Sequence, residues 1–338
     1  MTSAIVRRLS CLCLLGLCSC YYLAQAGGQL DILAHRQPIG DILQGRQLSD
    51  EDARKLTLVA DAKEFGERVL GLTKSDNYTT FYDTRGRPVS YVVSACRKDR
   101  FEAVTWWFPI VGTLPYKGFF SLDDARAEAR ALEAQGYDVA LRTVAAYSTL
   151  GWFSDPVFST MLKNDDIDLA VLILHELTHG TVFAGGQGDW NEAMAQFVGV
   201  EGAVQFFIAR HGAESPEVKA ARDRIEDEER VDEFVGRVHA RLGKLYAAGG
   251  RDVIVRREQV WAEARDEFAT VRRSLHDDSY DAMFRGRLNN ADVQAQRRYG
   301  RLDVFRKVFD RVGRDWEKFF AAMREASAAT DPFKALER

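Results

Sequence analysis

Two adjacent stretches decide how this chain is organised: Ile167-Asp168-Leu169-Ala170-Val171-Leu172-Ile173-Leu174-His175-Glu176-Leu177-Thr178-His179, and then Gly185-Gly186-Gln187-Gly188-Asp189-Trp190-Asn191-Glu192. The first has the pattern of a buried helix from Ile167 to Phe183, running into the histidines. On a helix, residues i and i+4 lie one above the other, so the imidazoles of His175 and His179 point at one place. The spacing is that of H-E-x-x-H, in which two histidines hold a divalent cation and the acid acts on a nearby water. Glu176 is turned away from the ligand pair but stays close to it. Burial of the preceding apolar turns leaves the ligands little freedom, which a preorganised site requires.

Zinc at a reactive site takes three protein ligands and keeps one position for water. The glycines at 185, 186 and 188 form a loop, and Trp190 to Arg210 forms a second helix. A reversal there lets Glu192 reach the cation as third ligand. Asp189 in the loop and Glu201 further along the helix compete for that role.

Working towards the N-terminus, Ser49-Asp50-Glu51-Asp52 opens a helix with an acidic first turn, favourable to the macrodipole, and Gly71 stops it. Tyr78 to Tyr82, Val89 to Cys96 and Phe101 to Phe108 are rich in aromatic and β-branched residues and predict a series of antiparallel strands. Ser121 caps a helix that ends at Gly136, and Tyr137 to Tyr147 is a further strand. Tyr116-Lys117-Gly118 is either an edge strand able to pair with an extended peptide or a plain turn. Towards the C-terminus the chain is helical and charged. One helix starts at Ser215-Pro216-Glu217 and ends at Gly249-Gly250; others are centred on Trp261, Phe305 and Phe319.

The ends carry other information. Arg7 and Arg8 precede a short apolar run, Leu9 to Leu17, too short to span a bilayer and suited to a secretory leader. Leu17-Cys18-Ser19-Cys20 is similar to the lipobox of bacterial lipoproteins, with Cys20 as the acylated residue; the alternative is ordinary cleavage near Ala24 or Ala26. Of five cysteines four lie in the leader or at its end, leaving Cys96 alone, so neither a disulfide framework nor a cysteine-held zinc is expected. The net charge of -4 is spread along the chain without a basic stripe, which argues against nucleic acid as a partner. His35, His211, His239 and His276 sit in polar surroundings and are expected at the surface.

The metal motif followed by Trp190-Asn191-Glu192-Ala193 resembles the gluzincin pattern. More closely, the chain resembles a family of bacterial lipoproteins described as putative aminopeptidases. The likeness is carried by Tyr21-Tyr22, Gly28-Gln29-Leu30, Trp106 to Pro109, Tyr116 to Phe120, Ala146 to Phe153, the metal motif, Leu288-Asn289-Asn290-Ala291 and Tyr299. It implies zinc and peptide hydrolysis. There are departures: where relatives have cysteines around the Trp-Phe-Pro segment this chain has Trp107 and Thr113, and four residues after Glu192 it has Gln196 instead of an aspartate. Gln196 can still accept from an imidazole N–H.

The expectation is an α+β, zincin-like protein with a small antiparallel sheet packed on the active-site helix and a mostly helical C-terminal part. Its organisation is a leader at 1–19, an anchor and connector at 20–48, a sheet-containing part at 49–184, and a helical part at 185–338. The expected function is that of a zinc-dependent peptidase, of aminopeptidase type by the resemblance, held by lipid at Cys20 in the bacterial cell envelope. His175, His179 and Glu192 bind one Zn²⁺, Glu176 is the base, and Tyr299, with Tyr147 second, donates to the developing oxyanion. The competing expectation is a non-enzymatic envelope lipoprotein with a structural metal site and a helical surface for a partner.

Overall fold

The computed structural model describes residues 21–45, 48–108, 112–144, 154–276, 278, 280–281 and 288–337. Cys20, the leader and Tyr147 lie outside them. The helices are α1 (21–35), α2 (Ile39–Gly45), α3 (Asp50–Phe65), α4 (Leu122–Ala134), α5 (Asp166–His179), α6 (Gly188–His211), α7 (Pro216–Ala248), α8 (Val253–Arg272), α9 (Asn290–Arg297), α10 (Leu302–Arg311), α11 (Trp316–Ser327) and α12 (Pro332–Leu336). The strands are β1 (Gln37–Pro38), β2 (Thr80–Tyr82), β3 (Ser90–Cys96), β4 (Trp106–Phe108), β5 (Gly112–Leu114), β6 (Lys117–Phe119), β7 (Asp138–Val144) and β8 (Val157–Phe158). The α+β class is confirmed, with helix predominating.

The three expected helix starts are present, each with a serine cap. Ser49 accepts from the Asp52 N–H, Ser121 from Asp124 and Ser215 from Val218, each satisfying a backbone donor that the first helical turn leaves free. Past Phe65 the backbone widens into one π turn, Gly66–Leu70, and Gly71 (φ 78°) then ends the helix in the left-handed region.

The strands do not form one series. β3 is the centre of an antiparallel sheet ordered β6-β3-β7, with Tyr91 opposite Phe119 on one side and Thr143 on the other. β2 belongs to a separate sheet, antiparallel to β1 and parallel to β8. Between Phe101 and Phe108 only 106–108 is strand, paired with β5, and Ala103 makes a single bridge to Cys96. Alternation of apolar residues identifies a strand but not its neighbour, so three strand signals dispersed into three sheets.

The packing also differs from expectation. The β6-β3-β7 sheet packs on α4 through Val93, Ala95, Phe119, Ala129 and Leu132, rather than on the helix that carries the histidines. That helix, α5, is enclosed by α3, α6 and α7 and shares its core with Phe81, Val157 and Phe158 of the smaller sheet. The same core includes Phe197 on α6, ringed by Phe305, Phe309, Trp316 and Phe319 of the C-terminal helices. A second cluster, with Phe234, Val238, Trp261 and Phe268, joins α7 to α8.

A buried polar joint ties the larger sheet to these helices. Arg257 on α8 meets Asp138 on β7 at 2.7 Å, and Arg257 also donates to the Lys98 carbonyl. The Asn290 N–H donates to Asp138, its side-chain amide donates to the Arg97 carbonyl, and its Oδ1 accepts from the Tyr246 hydroxyl. A buried ion pair is tolerated only with hydrogen bonds of this kind around it. Cys96, beside this joint, is a buried free thiol, as expected.

Candidate metal centre

The Asp165 side chain caps α5 by accepting from the Asp168 N–H at 2.7 Å. Leu169, Ala170, Ile173 and Leu174 are fully buried, so the helix has one rotational setting, which fixes where His175 and His179 point. The chain then reverses. The Ala184 N–H donates to Asn191 Oδ1 at 2.8 Å, and Asn191 Nδ2 donates to the Ala184 carbonyl at 2.9 Å. This reciprocal pair clamps the glycine loop to the first turn of α6, one residue from Glu192.

How closely α6 approaches α5 depends on two glycines. A Cβ at Gly199 would stand 2.8 Å from the Val171 carbonyl and 3.3 Å from the His175 Cβ. A Cβ at Gly202 would stand 2.7 Å from a Leu70 methyl. At 199 the clash is with backbone, so a side chain there would push α6 away from α5; at 202 the near atoms are methyls of Leu70 and Leu174, which would have to shift.

The crossing brings Glu192 Oε2 to 3.3 Å from His175 Nε2, and Oε1 to 3.8 Å from His179 Nε2. One ligand atom from each of the three side chains lies within 4.8 Å of the others, and this is the one such group that includes the motif among the described residues. Ligand bonds of about 2.1 Å at tetrahedral angles put donor atoms ~3.4 Å apart, so the cluster fits zinc with small adjustments. The competing acids are elsewhere. Asp189 is 71 % exposed in its side chain and pairs with Arg298; Glu201 is buried against Arg306.

The electrostatics are those of a cation site. For His175, burial disfavours the charged ring, but the Glu192 hydrogen bond, with Glu176 and Gln196, holds its pKa above the ordinary value. Burial and the neighbouring His175 push His179 down to about 4, so its ring is neutral with a lone pair to offer. Glu192, despite burial, is held low by His175, His179 and Arg298. Burial raises Glu176 to about 7, with Glu192 and Asp155 adding to it and His175 opposing. A dication between the imidazoles would take the place of the His175 proton and draw Glu176 down again.

Three tyrosines surround the cluster. The Tyr299 ring centre is 6.1 Å from that of His175. Its loop is gripped by Asp232 of α7, which accepts from the Arg301 N–H at 3.0 Å and presses so closely on Gly300 that no Cβ would fit. Tyr116, just before β6, lies near Glu192 and under the Arg298 guanidinium, 5.2 Å from its ring centre. Tyr78 is buried beside Glu176 and Asp155, with φ 61°, a left-handed conformation rare for a bulky residue. Burial raises the pKa of the Tyr78 and Tyr116 hydroxyls, and partial burial with Glu192 nearby raises that of Tyr299, which is 40 % exposed; all three remain protonated donors.

A family model described as "Putative aminopeptidase" matches residues 20–335. The chain belongs to that aminopeptidase family. No curated protein and no solved structure matches it.

In this aminopeptidase-family chain Gln196, one turn after Glu192, donates to Glu228 Oε1 at 2.7 Å and is near enough to His175 to help raise its pKa. Sequence reasoning missed Glu228, Tyr78 and the ring position of Tyr116. Glu228 looks like one more charge on a solvated helix, and nothing local distinguishes it. The left-handed Tyr78 has no sequence signal either. A cleft of about 650 Å³ opens beside Gln196, Glu228 and Tyr299, running between α7 and α10. His35 and His276 are at the surface near carboxylates, and His211 is exposed. His239 departs from expectation: its ring stacks on Phe101, centre to centre 4.1 Å, and burial lowers its pKa.

Proposed function

We propose that this member of the family is a zinc-dependent peptidase of gluzincin type, with His175, His179 and Glu192 as ligands. The observation that carries the reading is the convergence of those three donors within 4.8 Å, with Glu176 close enough to act on His175 and Glu192. Three ligands, with no fourth His, Cys, Asp or Glu in the group among the described residues, suit a reactive rather than a structural zinc. Bound there, zinc would polarise a substrate carbonyl and lower the pKa of a water to about 7. Glu176 receives the proton from the attacking water and passes it to the departing amine. The Tyr299 hydroxyl donates to the oxygen on which negative charge develops. β6 lies at the edge of its sheet next to Tyr116, with its Gly118 carbonyl already accepting from the Tyr21 hydroxyl at 2.9 Å.

The test is metal analysis of the purified protein together with assays on peptides with free and blocked N-termini. The expected results are about one equivalent of zinc, loss of turnover on chelation, recovery on adding zinc back, and preference for free amines. Turnover indifferent to chelation would remove the metal from the reaction; equal rates on both peptides would remove the aminopeptidase assignment.

Replacing Tyr299 with Phe should lower kcat by about 10²-fold, the scale of losing one oxyanion donor, with KM little changed. An unchanged kcat in a folded variant would reduce Tyr299 to a wall of the cleft.

The same proposal places the protein at the bacterial cell envelope, anchored by lipid at Cys20. The family match begins at that residue, and among the described residues no helix is long and apolar enough to cross a membrane. Mass spectrometry of the mature N-terminus decides the point: an unmodified terminus at another residue would end the anchor reading.

A further inference from the structure

We propose that Arg298 determines specificity by gripping a substrate carboxylate, so that the site takes short peptides whose C-terminal carboxylate lies close to the scissile bond. The inference deepens the peptidase reading and rests on it. It is carried by the placement of one guanidinium. Arg298 closes α9 at its C-terminal end and immediately precedes Tyr299, whose ring centre is 6.1 Å from that of His175. Its Nε lies 3.4 Å from Oδ1 of Asp189, in the first turn of α6. Asp189 and the ligand Glu192 are three residues apart on that helix, with about 5–6 Å between their Cβ atoms. The guanidinium therefore stands roughly one or two residues of extended chain, at ~3.3–3.6 Å each, from the three donors.

The guanidinium is held in place but its donors are unused. It lies over the Tyr116 ring, 5.2 Å from the centre, as cations do on aromatic faces. The far end of α9 is fixed by the Asn289 capping box and by buried Asn290, which bonds Asp138 and Tyr246. The Arg298 side chain is only 13 % exposed. Yet among the described residues it makes no hydrogen bond, and its one ion-pair partner is the exposed Asp189. No ion pair joins it to Glu192, which meets the two imidazoles instead. By contrast Arg224 and Arg257, covered as closely, are satisfied: the first by Asp165 and Asp168, the second by Asp138 and the Lys98 carbonyl. None of the Arg298 nitrogens is buried without a partner, so its free N–H groups open to solvent beside the metal cluster.

The chemistry of the group selects the ligand. A planar fork of donors, stacked on an aromatic ring, matches a carboxylate through two parallel charge-assisted hydrogen bonds. The exposed carboxylate of Asp189 rests nearest Nε, which leaves the two terminal nitrogens for a second carboxylate. The fork is preorganised by its stack and by the anchored helix, so little freedom is lost when a ligand arrives. A carboxylate does not change charge when the peptide bond is attacked. The contact is therefore equal in ground and transition states and acts on KM rather than on kcat.

The experiment compares alanyl dipeptides and tripeptides as free acids and as C-terminal amides. Rates are read on the zinc-loaded full chain, and binding by calorimetry on the metal-free protein. Wild type should favour the free acid by about 10-fold or more in both kcat/KM and Kd, the scale of a hydrogen bond to a charged group. In Arg298→Met that ratio should fall to within about threefold of unity, with the loss in KM. Arg298→Lys keeps the charge without the fork and should retain only part of the ratio. If the methionine variant does not fold, an undiminished ratio in the lysine variant overturns the proposal. An amidated dipeptide ending in aspartate separates the two sources of a carboxylate. Binding as weak as that of the alanyl amide supports the chain terminus, and binding as tight as that of the free acid overturns it. Equal treatment of acid and amide by wild type would sink the fork, as would a loss in Arg298→Met that leaves the ratio unchanged. A wild type that binds the free acids more tightly yet cleaves no peptide overturns the peptidase reading and leaves the carboxylate site standing.

Discussion

Glu176→Gln will lower kcat against a cleavable peptide by about 10²–10⁴-fold, the usual contribution of a general base, while zinc content stays at the wild-type level. Glutamine has the same size and can hold a water, but it cannot take a proton. The substituted side chain is not in the three-donor cluster, so His175, His179 and Glu192 are untouched. Its burial, which raises the carboxyl to about 7, also means that the amide replaces a group already poorly solvated. Folding should therefore survive. Equal turnover in the two proteins would take Glu176 out of the chemistry. Loss of zinc along with turnover would assign it to binding instead.

Glu192→Ala should be at least as damaging, but through the metal. The carboxylate reaches both imidazoles, at 3.3 and 3.8 Å. Its removal leaves two neutral nitrogen donors and no anion in the cluster. Zinc affinity should fall by more than the roughly 10–100-fold that loss of an outer partner brings, and turnover at limiting zinc should fall with it. Excess zinc should restore some activity, which it cannot do for Glu176→Gln. That contrast separates a ligand from a base. A Glu192→Ala protein with wild-type zinc affinity would transfer the third position to another group.

Much of this site was legible before any coordinates, for a definable reason. His175, Glu176 and His179 are placed by helix geometry, which is local. Glu192 was one of three acids close together in sequence, and choosing among them needed the crossing of α5 and α6. Gly199 and Gly202 control that crossing, yet a glycine within a helix does not say which neighbour it admits. Helix starts were legible because Ser49, Ser121 and Ser215 act on their own first turns. Strand partners were not, since pairing is long-range: β2 pairs with β8 although every strand of the larger sheet lies between them in sequence. Glu228 and Tyr78 were hidden for the same cause. Each is brought to the centre by tertiary packing that leaves no local trace.

The three donors and the base all fall between residues 175 and 192, in a helical hairpin whose turn Asn191 clamps. Closing so short a loop sacrifices little chain entropy, and contacts near in sequence form quickly. Assembly of the first coordination sphere is thereby uncoupled from the slow search that unites the distant strands.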